Sequence, residues 1–578
     1  MNFIKSVLST VVAIWLAILT IVLITVGLLV TFSKDIVKEI QPESVLEINM
    51  EGEMNDYLPS KIDPLTEVFN FDEKKVGFNN VCKALEVATF DENIKGISLR
   101  AIPANLGWAQ ATELRKLLQK FKDKGKFIYA FDDVYSQKKY YLNSIADSLF
   151  VSPLGRIELK GLHSEVLFYK SLQEKLGVKM EVIRHGKYKS AVEPFIADEM
   201  STSNRTQIKE LIDGLWKNIQ VAISESRNVN VEKAVMELHG ASSSKALEHH
   251  LIDGVLYQDT YYQKLKKRLA VKKLAKISLS DYINNKVLLH LSSEVSKIAV
   301  VYAQGQIMYG EGELNIIGQK KMIKALNNAV ENKEVKAIVF RINSPGGSAL
   351  ASDLIWRAVE NAKSKKPVIV SMGNLAASGG YYIACNANRI FAEPTTITGS
   401  IGVFGMLPNA AKLAKEIGIN AEVVSTHNNG MYYSAVLPVD HRFKKAVKSG
   451  IESVYDTFLE RVSKGRNLSI KEVDAVAQGR VWIGTKALEI GLVDELGGLG
   501  SAIAYAAKKV SLDTYSLKEY PEYKLDFKSM FSVESLIKLN LLKSKLISKE
   551  GLDKVDVLNN IITQKGVQAA MPFELKID

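Results

Sequence analysis

Sulfur is nearly missing from this 578-residue chain, whose two cysteines are Cys82 and Cys385. They lack CxxC spacing, which excludes a disulfide framework and a thiolate zinc or redox site. No Walker A loop and no HExxH pair occurs, so cofactor-free, ATP-independent chemistry without a metal is expected. The formal charge of +11 is not gathered into a dense Lys/Arg block with interleaved aromatics. Nucleic acid is therefore not an expected partner, and the charge suits a surface beside anionic lipid. Histidine is also scarce, with eight residues in all and none between Ser378 and Thr426. What is present, 47% hydrophobic and 24% charged residues, excludes a disordered chain and allows several packed domains.

One long uncharged run stands out, from Ser6 to Ser33, and it exceeds the ~20 residues a helix needs to cross a bilayer. It outlasts the apolar region of a cleavable signal peptide and ends without a small-x-small site, so an uncleaved anchor over 6–33 is expected. The positive-inside tendency keeps residues 1–5 in the cytoplasm and puts everything after residue 34 on the outer side. The expected location is the inner (cytoplasmic) membrane, single-pass, with the bulk of the chain extracytoplasmic.

The outward part repeats itself. A displacement of about 240 positions brings Lys83-Ala84-Leu85 onto Lys324-Ala325-Leu326, Arg100 onto Arg341, Tyr140-Tyr141 onto Tyr381-Tyr382 and Pro153 onto Pro394. Gly177 falls on Gly418, a short insertion then enters the second copy near His427, and the match returns at Asp253 and Asp494. A period this long means duplicated domains, over 34–290 and 291–510, with a Lys-rich extension from 511 to 578 that has one amphipathic stretch near 535–547. In each copy short apolar runs such as 336–342 and 367–372 alternate with helical patterns such as 353–362. The expected class is α/β, two tandem βαβ domains of parallel strands and right-handed crossovers, with function at the strand ends. Helices are also expected over 442–462 and its counterpart 204–223.

Where the copies differ, chemistry shows. The second has Asn343-Ser344-Pro345-Gly346-Gly347 after a buried strand, where the first has Ile102-Pro103-Ala104-Asn105-Leu106. Paired glycines let backbone N–H groups approach a substrate and stabilise an oxyanion, although a plain tight turn has the same signature. The second also has Ala376-Ala377-Ser378-Gly379-Gly380, with Gln137 in place of the serine in the first. A serine between a strand and a helix start fits a nucleophile turn as well as an N-cap. It needs a base. His185 and His427 occupy corresponding loops and are the triad candidates. Lys189, in Gly186-Lys187-Tyr188-Lys189-Ser190-Ala191, is a stronger one because Tyr433 replaces it in the other copy; Lys187 competes with it. A lysine acts as a base only when burial keeps it neutral. The amine lies in one copy and the serine and glycines in the other, so each half alone is incomplete.

Together the anchor, the tandem halves, the Ser-Pro-Gly-Gly turn, the Ala-Ala-Ser-Gly-Gly-Tyr-Tyr serine motif and the lysine motif resemble the long, duplicated type of bacterial signal peptide peptidase A. These are Ser-Lys proteases whose fold is related to the Clp protease and crotonase superfamily. The resemblance implies Ser378 as nucleophile and Lys189 as general base, and Ser400 as a partner of the lysine amine. It implies oxyanion donors from Gly346 or Gly347 and from Gly379. It also implies signal peptides as substrates and a homo-oligomer, a tetramer. Two other classes compete with this reading, a catalytically silent membrane scaffold and crotonase-like acyl-CoA chemistry.

Overall fold

The computed structural model describes residues 13–17, 20, 40–59, 76–287, 295–427, 433–523 and 568–570. The expected anchor over 6–33 lies outside these residues apart from 13–17 and 20, which are helical, and the amphipathic stretch over 535–547 lies outside them entirely. Among the described residues no helix is long and apolar enough to cross a membrane.

The first copy supplies strands β1 (Ser44–Ile48), β2 (Ile94–Leu99), β3 (Phe127–Tyr135), β4 (Ser148–Ile157), β5 (Lys179–His185), β6 (Gly254–Val255) and β7 (Lys276–Ser278). Six of them form a parallel sheet in the order β6-β4-β3-β2-β1-β7; β5 leaves it. The second copy supplies β8 (Lys297–Gln304), β9 (Gln306–Met308), β10 (Ile316–Gly318), β11 (Val335–Ser344), β12 (Gly346–Ser348), β13 (Val368–Ala377), β14 (Arg389–Ala392), β15 (Ile397–Gly399) and β16 (Val403–Asn409). It continues with β17 (Val481–Ile483), β18 (Glu495–Leu496) and β19 (Ser516–Tyr520), and β20 (Gln568–Ala570) follows in the C-terminal extension. Its main sheet runs β17-β15-β13-β11-β8-β19, with β14 and then β18 beside β13. β11 and β13 are buried on both faces, which is why their cores read as unbroken apolar runs rather than alternating ones.

The two sheets share one plan. β7 lies beside β1 as β19 lies beside β8. The extension expected from residue 511 thus begins inside the repeat, because Ser516–Tyr520 is an edge strand of the second sheet. Helices α1 (Trp108–Asp123), α2 (Thr202–Arg227), α3 (Ala349–Lys363), α4 (Gly379–Tyr382), α5 (His441–Arg466) and α6 (Leu499–Lys509) pack around the sheets. α2, α3 and α5 contain the helices expected over 204–223, 353–362 and 442–462. Asp440 caps α5 by accepting from the Arg442 and Phe443 N–H groups, and Ser201 caps α2 from Asn204.

A third sheet joins the copies. Its order is β10-β9-β12-β20-β16-β5, so β5 from the first copy pairs antiparallel with β16 from the second along the register Val403–His185 to Asn409–Lys179. A buried ion cluster ties the copies again. Arg341 donates to Asp56 at 2.8 and 3.1 Å and to Ser371 Oγ at 2.9 Å, and its guanidinium lies 3.4 Å from Glu113 of α1. Glu113 in turn accepts the Leu499 N–H at the start of α6, 2.6 Å away. Val481 and Ile483 of the second copy are part of the first copy's apolar core, and Ile183 packs on the second copy's core. The copies are one packed body at this seam, and the site lies in it.

Candidate active site

Strand β13 ends at Ala377, and Ser378 turns the chain into α4 with φ 56 and ψ −115. Positive φ costs a serine energy, and such strain persists only where the surroundings over-determine it, as at a nucleophile turn. Ser378 is the residue before α4 yet makes no side-chain cap bond, so its hydroxyl is not spent as an N-cap. Gly379 opens the helix, and the helix itself provides no acceptor for its N–H.

Lys189 reaches this hydroxyl from the first copy. β5 ends at His185, and the following loop is clasped by residues 478–481. Tyr188 N–H donates to the Gln478 carbonyl at 2.9 Å, and Gln207 of α2 donates to the Tyr188 carbonyl at 3.1 Å and to Ser190 Oγ at 2.7 Å. Gly479, at φ +80, is the close approach that matters: a Cβ there would stand 2.6 Å from the Lys189 N and Cβ atoms. Lys189 Nζ ends 2.8 Å from Ser378 Oγ, 3.1 Å from the Ser400 carbonyl and 3.0 Å from Ser400 Oγ. Ser400, itself at φ 51, donates its hydroxyl to the Gly479 carbonyl at 3.2 Å. Ser378, Lys189 and Ser400 all have zero exposure.

Burial holds the Lys189 ammonium well below the ordinary lysine value, because the charged form loses its hydration without gaining a counter-ion. Lys189 Nζ donates to Ser378 Oγ, the Ser400 carbonyl and Ser400 Oγ, three uncharged oxygens, and the Ser378 hydroxyl itself has the Gly402 carbonyl as an acceptor at 3.5 Å.

The competing residues lie elsewhere. Lys187 is exposed, with its ammonium 5.2 Å from the Tyr188 ring centre. His185 stacks on Tyr455 with centroids 4.0 Å apart, and exposed His427 meets its neighbour Thr426 at 2.9 Å. Tyr433, the counterpart of Lys189, donates to the Pro408 carbonyl. In the first copy the place of the serine is filled. The Gln137 amide accepts from the Lys160 and Gly161 N–H groups at 3.1 and 2.9 Å and donates to the Gly161 carbonyl at 3.0 Å, closing that loop on itself.

Gly346 and Gly347 form the start of β12 beside α4, where the Gly380 Cα sits so close that a Cβ would stand 2.8 Å from the Ser344 carbonyl. The Gly346 N–H donates to Ser344 Oγ at 3.1 Å. Gly347 has φ +154, and a Cβ on it would stand 2.0 Å from the Ile307 carbonyl. Gly479, Gln478 and Gln207 were not among the residues expected from sequence. A signal for Gly479 exists in the comparison of the copies, because Leu238 holds the corresponding turn at φ 51.

The known relatives agree with this architecture. Protease 4 of Haemophilus influenzae is 35% identical over 500 residues, 81% of this chain and 79% of that one. A protein named serine protease SPPA, chloroplastic, from Arabidopsis thaliana is 32% identical over 495 residues, 82% of this chain and 70% of its own. A putative signal peptide peptidase SppA of Enterococcus faecium is 34% identical over 220 residues, 36% of this chain and 62% of its own. Fold and relatives together define an α/β serine protease. The chain belongs to Peptidase family S49, whose profile matches residues 120–272 and 360–513, once in each copy.

Proposed function

We propose that this protein is a membrane-anchored endopeptidase in which Ser378 and Lys189 form a catalytic dyad and cleaved signal peptides are the substrate. The observation that carries the reading is the 2.8 Å contact between a fully buried, depressed lysine and a strained serine hydroxyl. Neutral Lys189 takes the Ser378 proton as Oγ attacks a peptide carbonyl, and the developing oxyanion is met by backbone N–H groups. Gly379 and Gly347 are the donors in this scheme, since the Gly346 N–H is already given to Ser344. Lys189 then hands its proton to the leaving amine, and water, with Lys189 again as base, hydrolyses the acyl-enzyme. Ser400 holds the amine so that its lone pair faces the serine.

The substrate class rests on the printed name of the Enterococcus relative and on the uncharged run at 6–33, which would keep the site beside a bilayer on the extracytoplasmic side. Assembly into a homo-oligomer, a tetramer by the family resemblance, is part of the reading. Its support is exposed apolar side chains on corresponding segments of the two copies, Leu167, Leu172 and Leu176 in one and Ile417, Ile419 and Val424 in the other, the two segments meeting where the Leu413 N–H donates to the Gly177 carbonyl.

The test is hydrolysis of a fluorogenic signal-peptide-like substrate by wild type, Ser378→Ala, Lys189→Ala and Lys187→Ala at matched folding. The first two variants should be inactive and the third should retain activity. Activity in either of the first two at the wild-type rate refutes the dyad.

A further inference from the structure

One residue of the second copy is held by both copies at once. Gln478 follows the short helix Ile470–Val476 and lies at φ 55, a left-handed conformation that strains a glutamine and persists only where its surroundings over-determine it. Its own copy fixes it from behind. The side-chain amide donates to Asp474 Oδ1 at 2.6 Å, the backbone N–H donates to the Tyr455 hydroxyl at 3.3 Å, and that hydroxyl donates to the same carboxylate oxygen at 2.5 Å. Its carbonyl faces the first copy. There it accepts the Tyr188 N–H at 2.9 Å, and Gly186 comes so near that a Cβ would stand 2.5 Å from the carbonyl carbon and oxygen.

The next two residues carry the turn to the amine. Gly479 packs on Lys189, its N–H donates to the Ile401 carbonyl at 2.8 Å, and its carbonyl accepts the Ser400 hydroxyl at 3.2 Å. The Arg480 carbonyl accepts the Ser400 N–H at 2.7 Å. Residues 478–480 therefore set the positions of both Lys189, which carries the base, and Ser400, which binds it. Tyr455 has two separate duties here. Its ring stacks on His185 at the end of β5, the strand that delivers the lysine, with centroids 4.0 Å apart, while its hydroxyl pins the turn. A fully satisfied polar network of this kind fixes one geometry where apolar packing tolerates several.

We propose that Asp474 and Tyr455 are positioning residues for catalysis: acting through Gln478, they hold the turn 478–480 where it brings Lys189 Nζ within reach of Ser378 Oγ. The inference rests on the Ser378–Lys189 reading above. An offset of about 1 Å at a reacting pair can cost on the order of 100-fold in rate, so a slackened clasp should lower kcat about 10- to 100-fold. KM should hold within about twofold, because the network sits behind the base and not against the peptide. A looser loop also lets water reach the amine, whose depressed value comes from burial with no charged partner. The rising limb of the pH profile should then move to higher pH.

The experiment measures kcat, KM and the pH profile of fluorogenic peptide hydrolysis, together with Tm, for the full chain in detergent micelles as wild type, Tyr455→Phe, Asp474→Ala, Asp474→Asn and Lys189→Met. Tyr455→Phe removes the hydroxyl and keeps the ring on His185. That variant and Asp474→Ala should show the loss of kcat, the unchanged KM and the shifted limb. Asp474→Asn, which keeps an oxygen acceptor, should recover most of the rate and the wild-type limb. Should Asp474→Ala fail to fold, Tyr455→Phe decides by the same criteria. Wild-type kcat in Tyr455→Phe overturns the inference and leaves the dyad standing. A loss of kcat that matches the loss of folded protein, with the limb in its wild-type place, also overturns it, because a merely structural role would give that result. Wild-type rates in Lys189→Met, or a wild type that does not hydrolyse the peptide, overturn the dyad and the inference together.

Discussion

Removing the Ser400 hydroxyl asks the most of the proposed geometry. As Ser378 is deprotonated, Lys189 becomes an ammonium with three hydrogens, and its three neighbours are Ser378 Oγ, the Ser400 carbonyl and Ser400 Oγ. Ser400→Ala deletes one acceptor at the moment the amine is charged and closed off from water. A hydrogen bond to a charged group is worth about 1.5–3 kcal/mol, which at 1.36 kcal/mol per decade lowers kcat about 10- to 150-fold. KM should change little, because the hydroxyl touches the base rather than the peptide. Loss of the acceptor also disfavours the ammonium, so the rising limb of the pH profile should move to lower pH. Ser400 sits at φ 51, so Ser400→Gly serves as the companion variant that removes the hydroxyl without straining the backbone. Both variants should fall together in a steady-state assay of peptide hydrolysis. If Ser400→Gly keeps kcat within about twofold of wild type, the hydroxyl does not position the amine and this reasoning is wrong.

Four further outcomes follow from the same structure. The kcat/KM of wild type should rise with pH as Lys189 loses its proton and level off below the ~10.4 of an ordinary lysine, because burial lowers its folded-state value; a limb at the ordinary lysine position would contradict that. The same burial makes Lys189 a stability liability that grows as pH falls, since the unfolded chain binds a proton that the folded chain does not; Lys189→Met should raise Tm, and more so at pH 6 than at pH 9. Gly347→Ala would drive a Cβ to 2.0 Å from the Ile307 carbonyl, so β12 must shift, and peptide hydrolysis should drop at least tenfold for about 1.4 kcal/mol of lost transition-state binding. Arg341→Leu leaves Asp56 and Glu113 buried without their cation, which should cost about 3–5 kcal/mol in chemical denaturation.

How much could be read from sequence depended on whether the two copies differ. Ser378, Lys189 and the glycine pair stood out because Gln137, Tyr433 and Leu106 occupy the matching places. Strands such as β11 and β13 were legible because burial on both faces leaves a continuous apolar run. Arg341 was invisible as a cross-link for the opposite reason: Arg100 aligns with it, so the comparison is silent. Yet Arg100 lies over the Phe131 ring while Arg341 binds two carboxylates of the first copy. The exchange of β5 into the third sheet leaves no local signal, since pairing with β16 is a long-range event decided by packing. β20 is too short for any periodicity, and β19 escaped because its partner strand lies more than two hundred residues upstream.

The central claim, that buried neutral Lys189 activates Ser378, is tested most directly by trapping the acyl-enzyme with an activated peptide ester and locating the adduct by tandem mass spectrometry. The account predicts acylation of Ser378 in wild type and loss of that adduct in Lys189→Met at matched folding. An adduct on another residue, or one that forms on Ser378 at the wild-type rate without the lysine, would contradict it.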